Sequence, residues 1–428
     1  MDNGGAKRTR EDAAPPEKRA CGETLSAAQA RAVEIAAAGR SLALLGPAGT
    51  GKSLAVAHIR AALVARYGAE HVAVTASTGV AAFLVRGQTL HSFAGTGVGS
   101  EAQFGMMSAR ATGQKRAKRW VQTAALIVDE ISMINAAYLD LLDRVARRNR
   151  ASRAPFGGMQ VIVVGDFAQL APVEGDFAFT AKCWDALFGA TTVVLTEVFR
   201  QRDAEFVAAL HALRTNTLAP AQFALLAACD KPVDGAVRLF AVNAAADECN
   251  QRELALLPGA PVRYAATDQF DKADAPAFPV DATVVVRPGA RVMLRANIDV
   301  AAGLVNGACG TVVAATPAAA TVEFDTGRRE VITPETFTAG APQPDGTVRD
   351  CTRTQMPLML AWAFSIHKSQ GTTLERCEVD LGRAWAAGQV YVALSRAASR
   401  EGLCVRGLAP AKIKASAAVR QFYARYEK

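Results

Sequence analysis

The hydrophobic residues of this 428-residue chain fall into two patterns: short, continuously apolar runs, and longer segments with apolar residues at helical spacing. From about residue 25 to 196 the two patterns alternate, as they do in βα units of a parallel sheet. Strands that helices cover on both faces are continuously apolar. The runs that we predict as strands are SLALL (41–45), VAVTA (72–76), ALIVDE (125–130), QVIVVGD (160–166) and TVVLT (192–196).

A second region of the same kind follows Arg200. It begins with a predicted helix over 203–215, continues through a predicted strand over 237–242 and resumes at the apolar segment 358–371. Between these parts, short β-rich pieces separated by turns replace the alternation. We therefore expect an α/β protein with two parallel-sheet domains and a small β-barrel inserted in the second. The expected boundaries are 24–200 for the first domain, with a small insertion at about 96–122, 201–284 and 353–428 for the second, and 285–352 for the barrel.

Composition narrows the class of protein. Half of the residues are hydrophobic, which allows large cores, yet no apolar stretch reaches the roughly 18–20 residues that a membrane span needs. The first residues are charged where a secretory signal would be apolar. The eight cysteines are scattered without a C-x-x-C pair, which argues against a zinc site and a disulfide framework. We expect a soluble, intracellular protein.

The net charge of +8 is concentrated in basic clusters at 113–120, at 143–153 and in the N-terminal tail. Such clusters suit a polyanion such as nucleic acid, although a solvated surface has the same composition. Residues 1–23 are polar and lack apolar periodicity, so we expect a disordered basic arm there. Its KRTREDAAPPEKR segment is either a loose nuclear import signal or a solvating tail.

The segment GPAGTGKS, residues 46–53, lies between a predicted strand and a predicted helix. It matches G-x-x-x-x-G-K-[ST], in which backbone N–H groups at a helix N-terminus face anionic phosphate oxygens. Lys52 would reach the β- and γ-phosphates, and Ser53 would hold Mg²⁺. The sequence therefore predicts a site for ATP and magnesium.

Two further predicted strands end in polar groups that suit nucleotide hydrolysis. In LIVDEIS, Asp129 suits the water-mediated magnesium ligand and Glu130 the general base that activates the attacking water. A helix N-cap pair is the alternative interpretation. In VVGDFAQLAP, Gln169 could contact the γ-phosphate or its attacking water. Because the carboxyl ends of parallel strands meet at one edge of a sheet, we expect these groups to meet the phosphate loop.

Charge that develops on the transferred phosphoryl group is commonly stabilised by an arginine supplied across a cleft. Arg200 in TEVFRQ and Arg396 in QVYVALSRA are the candidates, and a surface arginine is the alternative for each. Gln29 carries an amide that could read an adenine edge. On the residues alone, it is equally a glutamine on a helix surface.

The order and the amino-acid sequences of these segments resemble those of the Pif (petite integration frequency) helicases of superfamily 1B, which are related to the RecD helicases. The resemblance covers about residues 25–407. Its most discriminating segments are TASTGVAAFLVRGQTLHSFAG (75–95), the segment 129–173, PLMLAWAFSIHKSQGTTLERCEVDL (357–381) and GQVYVALSRAASREGL (388–403). The resemblance implies two RecA-like P-loop domains with an SH3-like barrel in the second.

The resemblance also implies a role for each matching residue. Gln29 reads adenine, Glu130 is the base, Gln169 senses the γ-phosphate, and Arg200 and Arg396 are arginine fingers. The implied catalytic residues are Lys52, Asp129, Glu130, Gln169, Arg200 and Arg396; the ATP-binding residues are Gln29, Gly46, Pro47, Ala48, Gly49, Thr50, Gly51, Lys52, Ser53 and Gly371; the magnesium ligands are Ser53 and Asp129.

The implied DNA contacts are Thr78, Gly79, His91 and Phe93 in the first domain and His367, Lys368 and Ser369 in the second. Short polar groups and a lysine grip phosphates, while a ring can stack on an unpaired base. The alternatives are that His91 caps a helix and that Phe93 belongs to the core. We also place a basic wedge, around Lys115, Arg116, Lys118, Arg119 and Trp120, where the duplex would be split.

The resulting hypothesis is an ATP-dependent DNA helicase that moves 5′ to 3′ on single-stranded DNA and opens forked or tailed duplexes. The polarity comes from the resemblance alone. The expected setting is genome replication, repair, recombination or telomere maintenance, and the expected state is a monomer or a DNA-induced dimer. Two alternatives remain, a DNA-stimulated ATPase that remodels without unwinding and an RNA helicase, because single-strand grips discriminate poorly between DNA and RNA. G-quadruplex DNA is a further possible substrate.

Overall fold

The structure is a computed structural model. It describes residues 24–78, 81–82, 85, 87–96, 114–270, 278–296, 298–299, 302, 304, 307–342 and 348–426, without the side chains of 114–116, 339–342 and 348–350. The basic arm, most of the wedge insertion and Gly79 lie outside the described residues, as do the side chains of Lys115 and Arg116. Within the described part of the chain, no helix combines the length and apolar character that crossing a bilayer requires.

A six-stranded parallel sheet forms the centre of the first domain. Its strands are β1 (Leu42–Leu45), β2 (Val72–Ala76), β3 (Gln88–Thr89), β4 (Ala125–Asp129), β5 (Gln160–Gly165) and β6 (Thr192–Val194). They lie in the order β3, β2, β4, β5, β1, β6, and every neighbouring pair is parallel. All residues of β1 and β5 are buried. The five predicted strands and the parallel sheet are confirmed, and β3 is an additional short edge strand.

Helices cover both faces of this sheet. They are α1 (Ala27–Ala37), α2 (Lys52–Tyr67), α3 (Leu90–Ala94), α4 (Gln114–Gln122), α5 (Ala136–Asn149) and α6 (Trp184–Phe188). Helix α1 begins with a capping box, in which Ser26 Oγ accepts from Gln29 N and Gln29 Oε1 accepts from Ser26 N. The side chain of Asn135 caps α5 by accepting from Tyr138 N at 2.7 Å. These caps satisfy N–H groups that a helix leaves without internal partners.

The chain continues through four elements before it leaves the α/β pattern: α7 (Ala204–Thr215), α8 (Pro220–Ala227), β7 (Val237–Phe240) and α9 (Asn243–Leu256). Ten strands follow: β8 (Val262–Ala265), β9 (Thr267–Gln269), β10 (Thr283–Val286), β11 (Arg291–Leu294), β12 (Cys309–Ala315), β13 (Ala320–Phe324), β14 (Arg329–Ile332), β15 (Glu335–Pro342), β16 (Val348–Gln355) and β17 (Leu358–Leu360). Every pair among these ten strands is antiparallel.

This antiparallel insertion is wider than the predicted segment 285–352. Strand β8 pairs with β10, and β17 pairs with β11, so the insertion runs from Val262 to Leu360. Its main sheet has the order β14, β13, β12, β11, β17 and has a core of its own, to which Val292 and Val322 contribute with no exposed surface. The SH3-like form of the insertion stays a prediction.

The second parallel sheet is completed after the insertion by β18 (Ala363–Ser365), β19 (Cys377–Asp380) and β20 (Leu403–Arg406). Its order is β18, β7, β19, β20, with all pairs parallel. Helices α10 (Gln389–Leu394) and α11 (Ala417–Tyr423) belong to the same part of the chain. Helix α11 packs against the first domain, where Phe422 stacks on Phe179 at 4.4 Å and meets Phe167 edge-on at 5.4 Å. The two parallel-sheet domains are therefore held together by an aromatic core.

Candidate nucleotide and nucleic-acid site

The phosphate loop joins the end of β1 to the start of α2, as the motif predicts. Gly49 and Gly51 have φ values of +83° and +73°, which favour glycine. A Cβ on Gly51 would lie 2.5 Å from Gln29 Nε2, and a Cβ on Gly49 would lie 2.7 Å from Arg200 Cβ. Both glycines are therefore required by conformation and by close neighbours. The N-terminus of α2 faces the loop and favours an anion.

Lys52, the first residue of α2, folds back over the loop. Its Nζ donates to the carbonyl oxygens of Gly46 and Pro47, both at 2.8 Å. Burial lowers the pKa of Lys52, although the carboxylates of Asp166 and Glu130 oppose the shift. Since its partners among the described residues are carbonyl oxygens, this desolvated ammonium would gain from an anionic phosphate.

The two predicted carboxylates lie at the end of β4. Burial, followed by the charge of Glu130, raises the pKa of Asp129 to about 7. Asp129 Oδ1 accepts from Glu130 N at 2.8 Å, and Glu130 adopts the left-handed conformation with φ +53°. Gln370, from the second domain, donates its Nε2 to Glu130 Oε2 at 2.9 Å. Gln370 was not among the predicted site residues, although Gln370 directly precedes the predicted Gly371.

Gln169 follows β5 and is 5% exposed. Its side-chain Oε1 is buried, and no described residue donates a hydrogen bond to it. A buried amide oxygen without a donor is costly in an apolar setting. Since Gln169 lines the same cavity as Glu130, its oxygen is placed to accept from a ligand or a water molecule.

The two predicted arginines both reach this site. Arg200 Nη1 donates to Ser395 O at 3.0 Å, and Arg396 donates from Nε to Val392 O at 2.9 Å. Burial lowers the pKa of Arg200 and lowers the pKa of Arg396 to about 10, with Arg200 adding to the second shift. Arg396 is 1% exposed. Among the described residues neither guanidinium group forms an ion pair with a carboxylate, so the half-buried Arg200 and the buried Arg396 are both suited to an incoming polyanion.

One cavity of about 550 Å³ brings these groups together. It is lined by both parallel-sheet domains, with Gly371 and Arg396 from the second. The predicted residues among its lining are Ala48, Gly49, Thr50, Gly51, Lys52, Ser53, Asp129, Glu130, Gln169, Arg200, Gly371 and Arg396. Its size and the charged side chains on its lining suit a nucleotide-sized ligand.

Three predicted ATP-binding residues, Gln29, Gly46 and Pro47, lie beside the cavity rather than on its lining. The amide of Gln29 is engaged on both sides, because Nε2 donates to Thr50 O at 3.1 Å and Oε1 accepts from Ser26 N at 2.9 Å. Its role as adenine reader stays a prediction. Phe199, which the sequence did not single out, lines the cavity and is 52% exposed. The feature of the sequence that could have pointed to Phe199 is its position directly before the predicted Arg200.

The residues of the first domain that were predicted to contact DNA differ in their burial and in their partners. Thr78 caps a turn after β2 by accepting from Ala81 N, and His91 stacks on Tyr138 at 4.6 Å. The ring of Phe93 is 1% exposed and meets Trp120 edge-on at 5.2 Å. In this structure the ring of Phe93 therefore belongs to the core, as the alternative interpretation has it, and its contact with DNA stays a prediction.

The predicted wedge needs a similar correction. Trp120 has no exposed surface, because it packs under Phe93 and donates its Nε1 to Ala94 O. Arg119 donates Nη1 to the carbonyl oxygens of Ser92 and Phe93 at 2.9 and 3.0 Å. Tryptophan is apolar over most of its surface, so burial in the core outweighs the basic character of its neighbours.

In the second domain the predicted DNA residues lie on the 3₁₀ turn Ile366–Ser369 after β18. His367 and Lys368 are exposed. Ser369 is 1% exposed and donates its Oγ to Ile366 O at 2.8 Å. Thus the turn offers one imidazole and one ammonium to solvent, while Ser369 stabilises the turn. The DNA roles of all these residues stay predictions.

A phosphate loop at the end of a central parallel strand, faced by an arginine from a second domain with a parallel sheet of its own, defines a P-loop protein with two RecA-like domains. The comparisons with known proteins make the class more specific. The profile of the PIF1-like helicases matches residues 24–212, and the resemblance read from the motifs is confirmed. The chain belongs to the PIF1-like helicase family.

Similar proteins and structures extend over nearly the whole chain. The ATP-dependent DNA helicase PIF1 of Homo sapiens is 39% identical over 417 residues, which cover 94% of this chain and 63% of the human protein. The crystal structure of the Pif1 helicase from Candida albicans is 34% identical, with a TM-score of 0.85, and covers 95% of this chain and all of that one. Bacteroides Pif1 bound to single-stranded DNA is 28% identical, with a TM-score of 0.75 and coverage of 95% and 97%.

The chain spans about 60–65% of the length of the curated relatives. The match to the Candida albicans structure nevertheless includes both parallel sheets and the insertion, since it covers 95% of this chain. The shared part is therefore the two-domain body described above.

Proposed function

We propose that the chain is an ATP-dependent DNA helicase that moves 5′ to 3′ along single-stranded DNA and separates the duplex ahead of it. The observation that carries this proposal is the shared cavity, which Lys52 of one domain and Arg396 of the other both line. A nucleotide between two domains can close them when it binds and release them when it is hydrolysed. The names of the curated relatives support this activity, and the direction rests on the family resemblance.

For ATP hydrolysis, Glu130 would act as the general base that takes a proton from the water attacking the γ-phosphorus. Gln370 orients the Glu130 carboxylate from the second domain. The water can donate its other proton to the buried Oε1 of Gln169, which has no donor among the described residues. Arg200 and Arg396 then face the charge that develops on the γ-phosphoryl oxygens. Because Gln370 and Arg396 come from the second domain, domain closure would complete the site.

The donor set also fits a magnesium ion. Ser53 and Asp129 offer hydroxyl and carboxylate oxygens, which are the ligands that Mg²⁺ prefers. Burial and the neighbouring Glu130 raise the pKa of Asp129, so two close carboxylates would gain from a cation at this strand end. Bound magnesium would neutralise phosphate charge, while Ser53 and Asp129 hold it beside the phosphate loop.

Strand binding would use the exposed ends of both domains. His367 and Lys368 offer a ring and a cation on the turn that leads directly to Gly371 of the nucleotide cavity. Contacts of this kind grip the sugar–phosphate backbone without reading sequence. A change in the cavity can therefore reach the DNA grip through a few residues of the same turn. Bacteroides Pif1, solved with single-stranded DNA, supports binding of a single strand.

The test is steady-state ATP turnover by the purified chain without nucleic acid, with single-stranded DNA and with RNA of the same sequence. We expect DNA to stimulate turnover strongly and RNA to stimulate it less, with Lys52→Ala as the inactive control. Equal stimulation by RNA would favour the RNA-helicase alternative. Absence of turnover under all conditions would contradict the proposal.

A further inference from the structure

The carboxylate of Asp166 is the centre of a buried polar cluster that the nucleotide chemistry above does not use. Asp166 follows β5, three residues before Gln169, and has no exposed surface. Arg214 of α7 donates Nε and Nη2 to it at 3.1–3.2 Å. Tyr391 of α10 and Tyr423 of α11 donate their hydroxyl groups to it at 3.1 and 2.8 Å. One first-domain carboxylate thus joins three helices from later in the chain.

The same cluster holds the backbone that carries Gln169. Tyr423 Oη accepts from Phe167 N at 3.1 Å, Asp166 Oδ1 accepts from Ala168 N at 3.1 Å, and Asp166 O accepts from Gln169 N at 3.0 Å. The three N–H groups between Asp166 and the Gln169 side chain are therefore all bonded to Asp166 or Tyr423. A loop pinned at every donor has little freedom to move independently of the cluster.

Tyr391 adds a direct link to the phosphate loop, because its hydroxyl oxygen accepts from Ala48 N at 3.1 Å while it donates to Asp166. Helix α10 also approaches Gln169 closely. A Cβ on Gly388, which directly precedes α10, would lie 2.4 Å from Gln169 O. Arg396 follows the same helix by two residues. One hydroxyl thus connects the phosphate loop, the Gln169 loop and the helix that leads to Arg396.

We propose that Tyr391, Asp166 and Tyr423 are positioning residues for ATP hydrolysis, which hold Arg396 and Gln169 in register with the phosphate loop. The inference rests on the proposed function, because it concerns the same cavity. None of the three residues is among those that line the cavity beside Lys52 and Glu130. They would act on the geometry of the residues that do.

The test compares Tyr391→Phe with wild type in DNA-stimulated ATP turnover and in binding of a fluorescent ADP. The ring stays, so packing is kept and only the bridging hydroxyl is lost. Two hydrogen bonds are lost, the one to Asp166 and the one from Ala48 N, so we expect kcat to fall by at least about tenfold, the effect of losing one hydrogen bond to a charged group. The KM for ATP and the Kd for ADP should change by less than about twofold, because Tyr391 is not among the residues that line the nucleotide cavity.

Tyr264→Phe is the matched control. Tyr264 is 4% exposed, and its hydroxyl donates to Ala319 O at 3.0 Å within the antiparallel insertion. It should lower the melting temperature as Tyr391→Phe does but leave kcat unchanged. If Tyr391→Phe also keeps its wild-type kcat, the positioning role is overturned. A wild type without ATP turnover would instead overturn the proposed function itself.

Tyr423→Phe is a second variant of the same cluster, and it can be measured even if Tyr391→Phe does not fold. Because Tyr391 and Tyr423 bond the same carboxylate, their effects on kcat should not be independent. We expect the double variant to lose less activity than the product of the two single losses. Losses that multiply would show two separate roles and overturn the shared cluster.

Discussion

Replacing Arg214 by methionine tests the electrostatics of the buried cluster in depth. Arg214 is 4% exposed and Asp166 has no exposed surface, so Arg214→Met would leave a carboxylate in the interior without its ion-pair partner. Removing one partner of a buried ion pair costs about 3–5 kcal/mol. Two tyrosine hydroxyl groups and Ala168 N would still bond the carboxylate, which favours the lower end of this range. Methionine preserves much of the apolar volume, so a cavity contributes little.

The stability of wild type and of Arg214→Met should change with pH in opposite directions. Burial acts to raise the pKa of Asp166, but the charge and hydrogen bonds of Arg214 outweigh it and hold the pKa below its ordinary value. In wild type, Asp166 therefore stabilises the fold above its unfolded pKa of about 3.9, and this stabilisation is lost only as the pH falls further. In Arg214→Met burial would dominate and raise the pKa. The ionised form would then destabilise the fold at neutral pH, and protonation would relieve this as the pH falls.

The assay is thermal unfolding of wild type and Arg214→Met at about pH 7.5 and about pH 5. We expect the variant to melt roughly 6–12 °C lower near neutral pH, from a cost of about 3 kcal/mol and about 2–4 °C per kcal/mol for a domain of this size. The gap should narrow at the lower pH. All other carboxylates are shared, so the difference between the two proteins reports on Asp166.

Arg328→Met is the control, because its ion pair with Glu330 is exposed to solvent and worth no more than about 1 kcal/mol. A gap for Arg214→Met as small as that of the control would refute the reasoning. So would a gap of the same size at both pH values.

Three further substitutions address the nucleotide site. Lys52→Ala should abolish ATP hydrolysis and leave single-strand binding largely intact, whereas the exposed Lys182→Ala should alter neither; normal turnover without Lys52 would contradict the phosphate-loop assignment. Glu130→Gln should still bind ATP but hydrolyse it about 10²–10⁴-fold more slowly, as for loss of a general base, and loss of nucleotide binding would show that Glu130 is structural. Phe199→Ala should raise the KM for ATP about tenfold with kcat little changed, the low end of aromatic–base stacking, and an unchanged KM would exclude a base contact for this ring.

The nucleotide residues could be predicted because their signals are local. Lys52 follows an apolar run and a glycine loop, and Asp129 ends another apolar run, so both fall on the same edge of one parallel sheet. In each case, a few neighbouring residues in the sequence are enough to predict where the side chain lies. Arg396 was a candidate from the sequence, but a surface arginine was an equal alternative, and the family resemblance decided between them.

Other features depend on contacts between distant parts of the chain. Asp166 is separated from Arg214 by 48 residues and from Tyr391 by 225, so no local pattern could pair them. Phe93 and Trp120 have polar or basic neighbours in the sequence. Their rings are nevertheless buried, because they pack against each other in the core. The start of the insertion was missed for a similar reason, since Val262–Ala265 is defined as antiparallel only by its partner β10.

The measurement that tests the central claim most directly is ATP-dependent unwinding of three duplexes, one with a 5′ single-stranded tail, one with a 3′ tail and one blunt, with Lys52→Ala as the inactive control. We expect wild type to open the 5′-tailed duplex alone, because the motor would load on that strand and move toward the junction. Opening of the 3′-tailed duplex instead would contradict the proposed direction. DNA-stimulated ATP turnover without opening of any duplex would contradict the helicase proposal and favour a remodelling ATPase.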